Sequence, residues 1–211
     1  FPYNQTWSDP GLITAANDWS GVVGVTGYRG DDLTTAVGTD PRTIVADGSG
    51  TPVNVIANNT GSLNSNSSGG IIESEANGAI AMQGSGTADR PTWCSTSTPR
   101  ASGADVRFNA KDLDGSGDNT NQQVAVQYRV GTTGDYTNLA NGYVADATTG
   151  PNEATAVTPV SVTLPAAAAG SAQVYIRVMT TNAAGNDEWS ASTTSASRSV
   201  AWSSPTPSTP G

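Results

Sequence analysis

The chain of 211 residues contains no histidine, one cysteine (Cys94) and one lysine (Lys111). Without histidine there is no Ser-His-Asp or Cys-His catalytic machinery, and most kinds of zinc site are excluded. A single cysteine cannot form an internal disulfide, and the chain has no run of apolar residues long enough to span a membrane as a helix. Nine basic and eighteen acidic residues give a net charge of −9. A field of that sign argues against nucleic acid as a partner of this chain.

Charged residues make up 13% of the chain and hydrophobic residues 36%, and both fractions are low for a globular domain. Gly, Ser, Thr, Ala and Asn dominate instead, so hydroxyls, amides and backbone groups keep the surface hydrated. This composition predicts a thin core supplied by strands in which every second residue is buried. It is typical of extracellular β-proteins, and we therefore expect the protein to be secreted.

Alternating apolar and polar residues indicate half-buried strands rather than helices. Four such stripes occur in the second half of the chain, around Phe108, Val126, Val162 and Ile176. The pattern predicts an all-β fold, a jelly-roll-like antiparallel β-sandwich, in which residues 1–202 form one module. Residues 203–211 are rich in Pro, Ser and Thr and predict an exposed linker, so we expect a further module after it.

An acidic glycine loop follows the first stripe. Gly117 stands at position 6 of a loop that resembles the start of an EF-hand, where calcium ligands occupy positions 1, 3 and 5. Position 12 is Gln123 instead of a bidentate glutamate, and strands flank the loop, so a complete EF-hand is excluded. A looser Ca²⁺ site and a plain solvated turn both remain open, and Asp187 lies in a second corner that could complete such a site. The candidate ligands in the loop are Asp112, Asp114, Ser116 and Asp118.

Exposed tryptophan and tyrosine rings can stack on sugar rings, because they offer a flat apolar face and a polar tip. Most aromatic residues of so aromatic-poor a chain are expected in the core, but Trp19 and Tyr28 are candidates for a glycan platform. Glu73 and Glu75 would share one strand face, and a carboxylate pair can hydrolyse glycosides when a cleft holds it at the right spacing. Nothing places a second acid across a cleft, so two exposed edge charges are the favoured interpretation.

The segments TWSDPGLITAANDWSGVVGVTGYRGDDLTT and VAVQYRVGTTGDYTNL…VTPVSVTLPAAAAGSAQVYIRVMTTNAAGNDEW resemble a module found near the N-terminus of large secreted bacterial proteins. Several of those proteins carry a C-terminal endonuclease/exonuclease/phosphatase domain, as in ExeM-like extracellular nucleases. The resemblance implies a non-catalytic, jelly-roll-like sandwich that accompanies a nuclease, whose own domain would lie beyond Gly211.

Two segments, residues 91–103 and 190–202, lack the apolar strands that the resemblance implies. With suitable codons, a one-base slip converts PTWCSTST into HLVLYLDT and SASTTSAS into VGIDDISV. We therefore hypothesise that both segments are frame-shifted. If the chain is as written, we expect both to form poorly packed edges of the sandwich.

These observations favour a secreted, non-catalytic module that binds extracellular polysaccharide or matrix and holds structural Ca²⁺. One alternative is a building block of an extracellular filament or surface layer, which would self-assemble. The other is a metal-dependent hydrolase that uses carboxylates.

Overall fold

The computed structural model of the protein describes residues 5–9, 11–14, 18–28, 36–46, 55–59, 63, 69–74, 77–86, 92–97, 104–113, 120–148, 156–185 and 187–193. For residues 55–59, 93 and 95–97 it describes the backbone alone. Within these ranges no helix is long and apolar enough to cross a membrane. The calcium-loop candidates Asp114, Ser116 and Asp118, as well as the predicted linker, lie outside the described residues.

The regular secondary structure of the described residues is mainly β-strand. Two short 3₁₀ helices, Pro41–Thr43 and Ala166–Ala168, accompany them. The strands are β1 (Val25–Tyr28), β2 (Val55–Asn59), β3 (Gly70–Ser74), β4 (Ala79–Gln83), β5 (Thr92–Ser97), β6 (Asp105–Asp112), β7 (Val124–Val130), β8 (Thr137–Val144), β9 (Val157–Thr163), β10 (Val174–Thr180) and β11 (Ser190–Thr193).

The strands form two packed sheets, which confirms the predicted all-β sandwich. The five-stranded sheet has the order β1-β5-β10-β7-β8, and the six-stranded sheet has the order β2-β3-β4-β11-β6-β9. All neighbours pair antiparallel except β2 and β3, which pair parallel. From β4 to β7 and again from β8 to β11 the chain alternates between the sheets.

The apolar residues of the alternating stripes fill the space between the two sheets. Val174, Ile176 and Val178 of β10 are buried there, opposite Phe108 and Val160 of the six-stranded sheet. A smaller apolar cluster lies on the outer face of the six-stranded sheet, where the fully buried Trp189 packs with Ile72 and Ala191. This sheet is therefore covered on both faces near β3, β4 and β11.

The described parts of the two segments that lack apolar stripes, β5 and β11, are interior strands, so the expectation that they form edges is wrong for these parts. β5 lies between β1 and β10, and β11 lies between β4 and β6. Ser190 and Ser192 pair with the core residues Met82 and Ile80, so their side chains face inward, where both are buried. Small hydroxyl side chains thus occupy core positions of a central strand. The frame-slip hypothesis, which would place valine and isoleucine there, stays a hypothesis.

The six-stranded sheet has β2 at one edge and β9 at the other, and Pro159 is the third residue of β9. Asp112 N donates to Ala156 O and Leu164 N to Ala104 O, so every second pair along β6 and β9 is hydrogen-bonded. Pro159 pairs with Asn109 between those bonded pairs, and its nitrogen therefore points away from β6. Proline has no N–H to offer there, which blunts the edge against pairing with another strand.

Candidate functional site

A strap formed by residues 36–46 crosses the outer face of the five-stranded sheet. Its carbonyl groups accept hydrogen bonds from polar side chains that project from β7, β8 and β10. Ile44 O accepts from Gln127 Nε2 at 3.1 Å and from Arg177 Nη2 at 2.7 Å, and Ala46 O accepts from Arg177 Nη1 at 2.9 Å. These contacts hold the strap over β7 and β10, and its 3₁₀ helix packs against β7.

Arg177 and Gln127 form the buried centre of this attachment. Arg177 Nε donates to Gln127 Oε1 at 2.7 Å, and the guanidinium carbon lies 3.9 Å from the centre of the Tyr136 ring. Both side chains are nearly fully buried. Since a buried guanidinium needs acceptors for its five N–H groups, the strap carbonyls and the sheet residues stabilise each other.

A large bulge in β8 brings two further side chains to the strap. Gln127 pairs with Asn138 and Ala125 with Tyr143, so a single residue of β7 faces the four residues 139–142 of β8. Asn141 adopts a positive φ of 62° in this bulge, a conformation that asparagine tolerates better than most residues. Bulges often redirect side chains at functional sites, and this one directs Asn138 and Tyr143 toward the same part of the strap.

The resulting constellation, which we name the Arg42–Tyr143 site, consists of Asp40, Arg42, Gln123, Asn138 and Tyr143. The guanidinium carbon of Arg42 lies 3.6 Å from the centre of the Tyr143 ring, in cation–π contact. Tyr143 Oη donates to Gln123 Oε1 at 2.6 Å, and Asn138 Nδ2 donates to Arg42 O at 2.9 Å. Gln123 therefore fixes the aromatic ring, and Asn138 fixes the backbone of Arg42.

Asp40 is the partner of Arg42 and also caps the 3₁₀ helix. Its Oδ1 accepts from the backbone N of Arg42 at 2.9 Å, and Arg42 Nη2 reaches Oδ2 at 2.6 Å. The hydrogen bond from Arg42 lowers the pKa of Asp40 below its usual value and, reciprocally, raises the pKa of Arg42. Both side chains stay partly exposed, at 31% and 46% of their surface. The pair is thus a charge-compensated group that solvent and ligands can reach.

A second arginine–tyrosine contact lies on the same sheet face. Arg129 is nearly buried, with its guanidinium carbon 4.6 Å from the Tyr136 ring centre and 4.9 Å from that of Tyr175. Gln173 Nε2 donates to Tyr175 Oη at 3.0 Å, which fixes this half-buried ring. Three of the five basic side chains in the described residues, Arg42, Arg129 and Arg177, therefore lie on one face of an acidic protein.

The sequence-predicted platform residues do not form one aromatic surface, because the Trp19 ring lies against Gly27 on the core side of β1 and Tyr28 alternates to the other side. Trp19 is 7% exposed and packs edge-to-face against Trp7 in the main core, at a centroid distance of 6.5 Å. This burial argues against Trp19 as a platform for a sugar. Tyr28 is half-buried on β1, at the opposite edge of the sheet from Tyr143. With strands about 4.8 Å apart, the two edges are separated by about 19 Å.

Of the predicted calcium ligands, the described residues include Asp112 and Asp187. Asp112 is fully buried and pairs with Ser190, which follows Asp187 by three residues. Burial raises the pKa of Asp187 to about 6, although the hydrogen bond from Ala183 N opposes the shift.

A buried amide lies beside the Asp187 corner. Gln83 Nε2 donates to Asp187 O at 2.8 Å, and Gln83 Oε1 has no hydrogen-bond partner within the described residues. An orphaned oxygen beside carboxylates suits Ca²⁺. Among the described side chains, however, no three His, Cys, Asp or Glu residues converge as metal ligands. The calcium site stays a prediction.

Glu73 differs from the sequence interpretation. It was expected as an exposed edge charge, but it is fully buried on β3, which lies between β2 and β4. It pairs with the core residue Ile80 and therefore faces the space between the sheets. The run of buried residues in β3 has no clean alternation because both faces of this sheet are covered, and this hid the position of Glu73. Glu75 lies outside the described residues.

No protein-family model and no curated protein matches the chain. Among solved structures, TmCBM61 in complex with β-1,4-galactotriose is similar at 12% identity and a TM-score of 0.30, over 55% of this chain and 66% of that one. The enzymatically active domain of tailspike protein 4 of bacteriophage CBA120 is similar at 10% identity and a TM-score of 0.32, over 54% of this chain and 14% of that one. At these TM-scores neither likeness carries an argument about this protein.

Proposed function

We propose that the protein is a non-catalytic module that binds extracellular carbohydrate through the Arg42–Tyr143 site. The observation that supports this proposal is the stacked Arg42–Tyr143 pair, 3.6 Å apart, next to the partly exposed Asp40. A sugar presents apolar C–H faces and a rim of hydroxyl groups. The guanidinium plane of Arg42, which covers the Tyr143 ring, offers a flat and weakly hydrated surface for the C–H groups, and the polar atoms of the pair can bind the hydroxyl groups.

Preorganisation supports the same proposal. The strap is attached through Arg177 and Gln127, and the β8 bulge is attached to the strap through Asn138. A site held by its own hydrogen bonds loses little conformational entropy when a ligand binds. Loops on a rigid β-sandwich are also the usual location of binding residues in such folds.

The test is retention of the whole chain on a panel of immobilised polysaccharides, with Arg42→Ala compared with Arg107→Ala. Arg107 is the matched control because it also pairs with an aspartate two residues earlier, at 2.8 Å, but on the other sheet. We expect wild-type and Arg107→Ala proteins to be retained and Arg42→Ala to lose at least about tenfold in affinity, or about 1.4 kcal/mol. Equal retention of the two variants would refute the site.

We further propose that the module belongs to a secreted bacterial protein, where it accompanies a nuclease-type hydrolase.

We also propose that the module binds structural Ca²⁺ near Asp112 and Asp187. Carboxylate oxygens are the ligands that Ca²⁺ prefers, and Asp112 and Asp187 both lie near Ser190 at this corner. Added CaCl₂ should raise the melting temperature relative to EDTA, and MgCl₂ at the same ionic strength should not. Identical melting temperatures in CaCl₂ and EDTA would exclude the calcium site.

A further inference from the structure

The hydrogen-bonding groups of the Arg42–Tyr143 site indicate which class of sugar it can bind. Arg42 uses Nε and Nη2 for Asp40, and within the described residues its Nη1 group donates to no partner. Asp40 Oδ2 already accepts from both Nε and Nη2 of Arg42, whereas Tyr143 Oη donates to Gln123 and keeps a lone pair that can accept a hydrogen bond. The site therefore offers donors and acceptors side by side.

The net charge of these groups is zero, because Arg42 and Asp40 compensate each other within one bidentate pair. An anionic sugar would bring its carboxylate or sulfate next to the Asp40 carboxylate, within the field of a protein with a net charge of −9. Like-charge contacts of this kind cost several kcal/mol and are a common source of discrimination. A hydroxyl group has no such cost, since it can accept from Arg42 Nη1 and donate to Tyr143 Oη.

We propose that the Arg42–Tyr143 site selects uncharged sugar units, whose neighbouring hydroxyl groups bind Arg42 and Tyr143 beside the charge of Asp40, and rejects uronate and sulfate. This inference rests on the proposed carbohydrate-binding function and specifies its ligand class. Asp40 is the specificity-determining residue: it is the group that turns an arginine–tyrosine pair, which alone would attract anions, into a neutral recognition group.

The test uses the substitution Asp40→Asn in the whole chain. Asparagine keeps the oxygen that caps the 3₁₀ helix, so the strap should stay folded while the charge of Arg42 is uncovered. Binding to a soluble neutral β-glucan and β-galactan, to polygalacturonate and to a sulfated galactan is measured at low and high NaCl. Asp105→Asn is the control, because it adds the same charge and uncovers Arg107 on the other sheet.

We expect the wild-type protein to bind a neutral polymer with little salt dependence and neither anionic polymer. Asp40→Asn should gain at least about tenfold in affinity for polygalacturonate, and the gain should disappear at high salt, as a screened charge interaction does. Asp105→Asn should gain nothing.

Wild-type binding to either anionic polymer, weakened by salt, would overturn the inference and leave the proposed function standing. An equal gain in Asp40→Asn and Asp105→Asn would also overturn it, since net charge alone would then explain the effect. Failure of the wild-type protein to bind any of the four polymers would count against both.

Discussion

Replacement of Arg177 by methionine tests whether the polar face of the five-stranded sheet holds the strap in place. Methionine fills much of the arginine volume but donates no hydrogen bond. Gln127 Oε1 would lose its donor at 2.7 Å while staying buried, which costs about 1–3 kcal/mol. Loss of the cation–π contact with Tyr136 at 3.9 Å adds about 1–2 kcal/mol.

The hydrogen bonds from Arg177 to the two strap carbonyls contribute less than these contacts. Ile44 O keeps its hydrogen bond from Gln127 Nε2, and Ala46 is exposed, so water can solvate its carbonyl. We therefore expect Arg177→Met to lower the free energy of unfolding by about 3 kcal/mol. For a chain of this size that corresponds to a fall in melting temperature of about 6–12 °C.

The assay is thermal and urea unfolding of wild type, Arg177→Met and Arg107→Met, followed by circular dichroism. Arg107 is 42% exposed in its ion pair with Asp105, and loss of an exposed pair costs about 0–1 kcal/mol. The reasoning fails if Arg177→Met unfolds within 1 kcal/mol of Arg107→Met, roughly the resolution of such a comparison.

Three other substitutions have definite expected outcomes. Above pH 7 in EDTA, Asp187→Asn should be more stable than wild type by about 1 kcal/mol, a value reduced for partial exposure. Because the pKa of Asp187 is raised from 3.8 to about 6, its contribution to stability is fully present below about pH 4 and is lost as the pH rises through 6. The variant should therefore flatten the wild-type pH profile of melting temperatures; unchanged profiles would contradict this. Gly142→Ala should lower stability by about 1–3 kcal/mol, because the new Cβ would lie 2.9 Å from Val126 Cβ; a melting temperature equal to that of wild type would show that the bulge tolerates a side chain. Pro159→Thr restores an outward N–H on β9 and should promote self-association in sedimentation velocity, whereas a concentration-independent monomer would show that the edge is protected by other means.

The architecture could be predicted from the sequence wherever apolar and polar residues alternate along a strand. The stripes around Phe108, Val126, Val162 and Ile176 lie in β6, β7, β9 and β10, because those strands alternate between core and outer face. The two interior strands β5 and β11 were not recognisable, since threonine, serine and alanine produce no stripe even when buried. For the same reason, both segments were predicted to form edges, although β5 and β11 lie in the interior of their sheets.

The Arg42–Tyr143 site could not be predicted from local patterns, because its two main residues are about one hundred positions apart and meet through tertiary contacts. One local signal was present: Asn141-Gly142 interrupts a strand pattern, which is typical of a bulge. The aromatic residues chosen from the sequence were judged by type alone, and Trp19 proved to be a core residue. Only the tertiary structure shows that the Trp19 ring packs in the core, whereas the Tyr143 ring lies against Arg42 of the strap on the outer face of the sheet.

Isothermal titration of wild-type and Tyr143→Ala proteins with a soluble neutral polysaccharide is the most direct test of the central claim. Tyr143 contributes the ring on which Arg42 stacks, and its removal should abolish the fixed position of the guanidinium. We expect saturable binding by the wild-type protein and a loss of at least about tenfold in the variant, with an unchanged circular dichroism spectrum. Undiminished binding by Tyr143→Ala, or no heat of binding for the wild-type protein with any neutral polymer, would contradict the account.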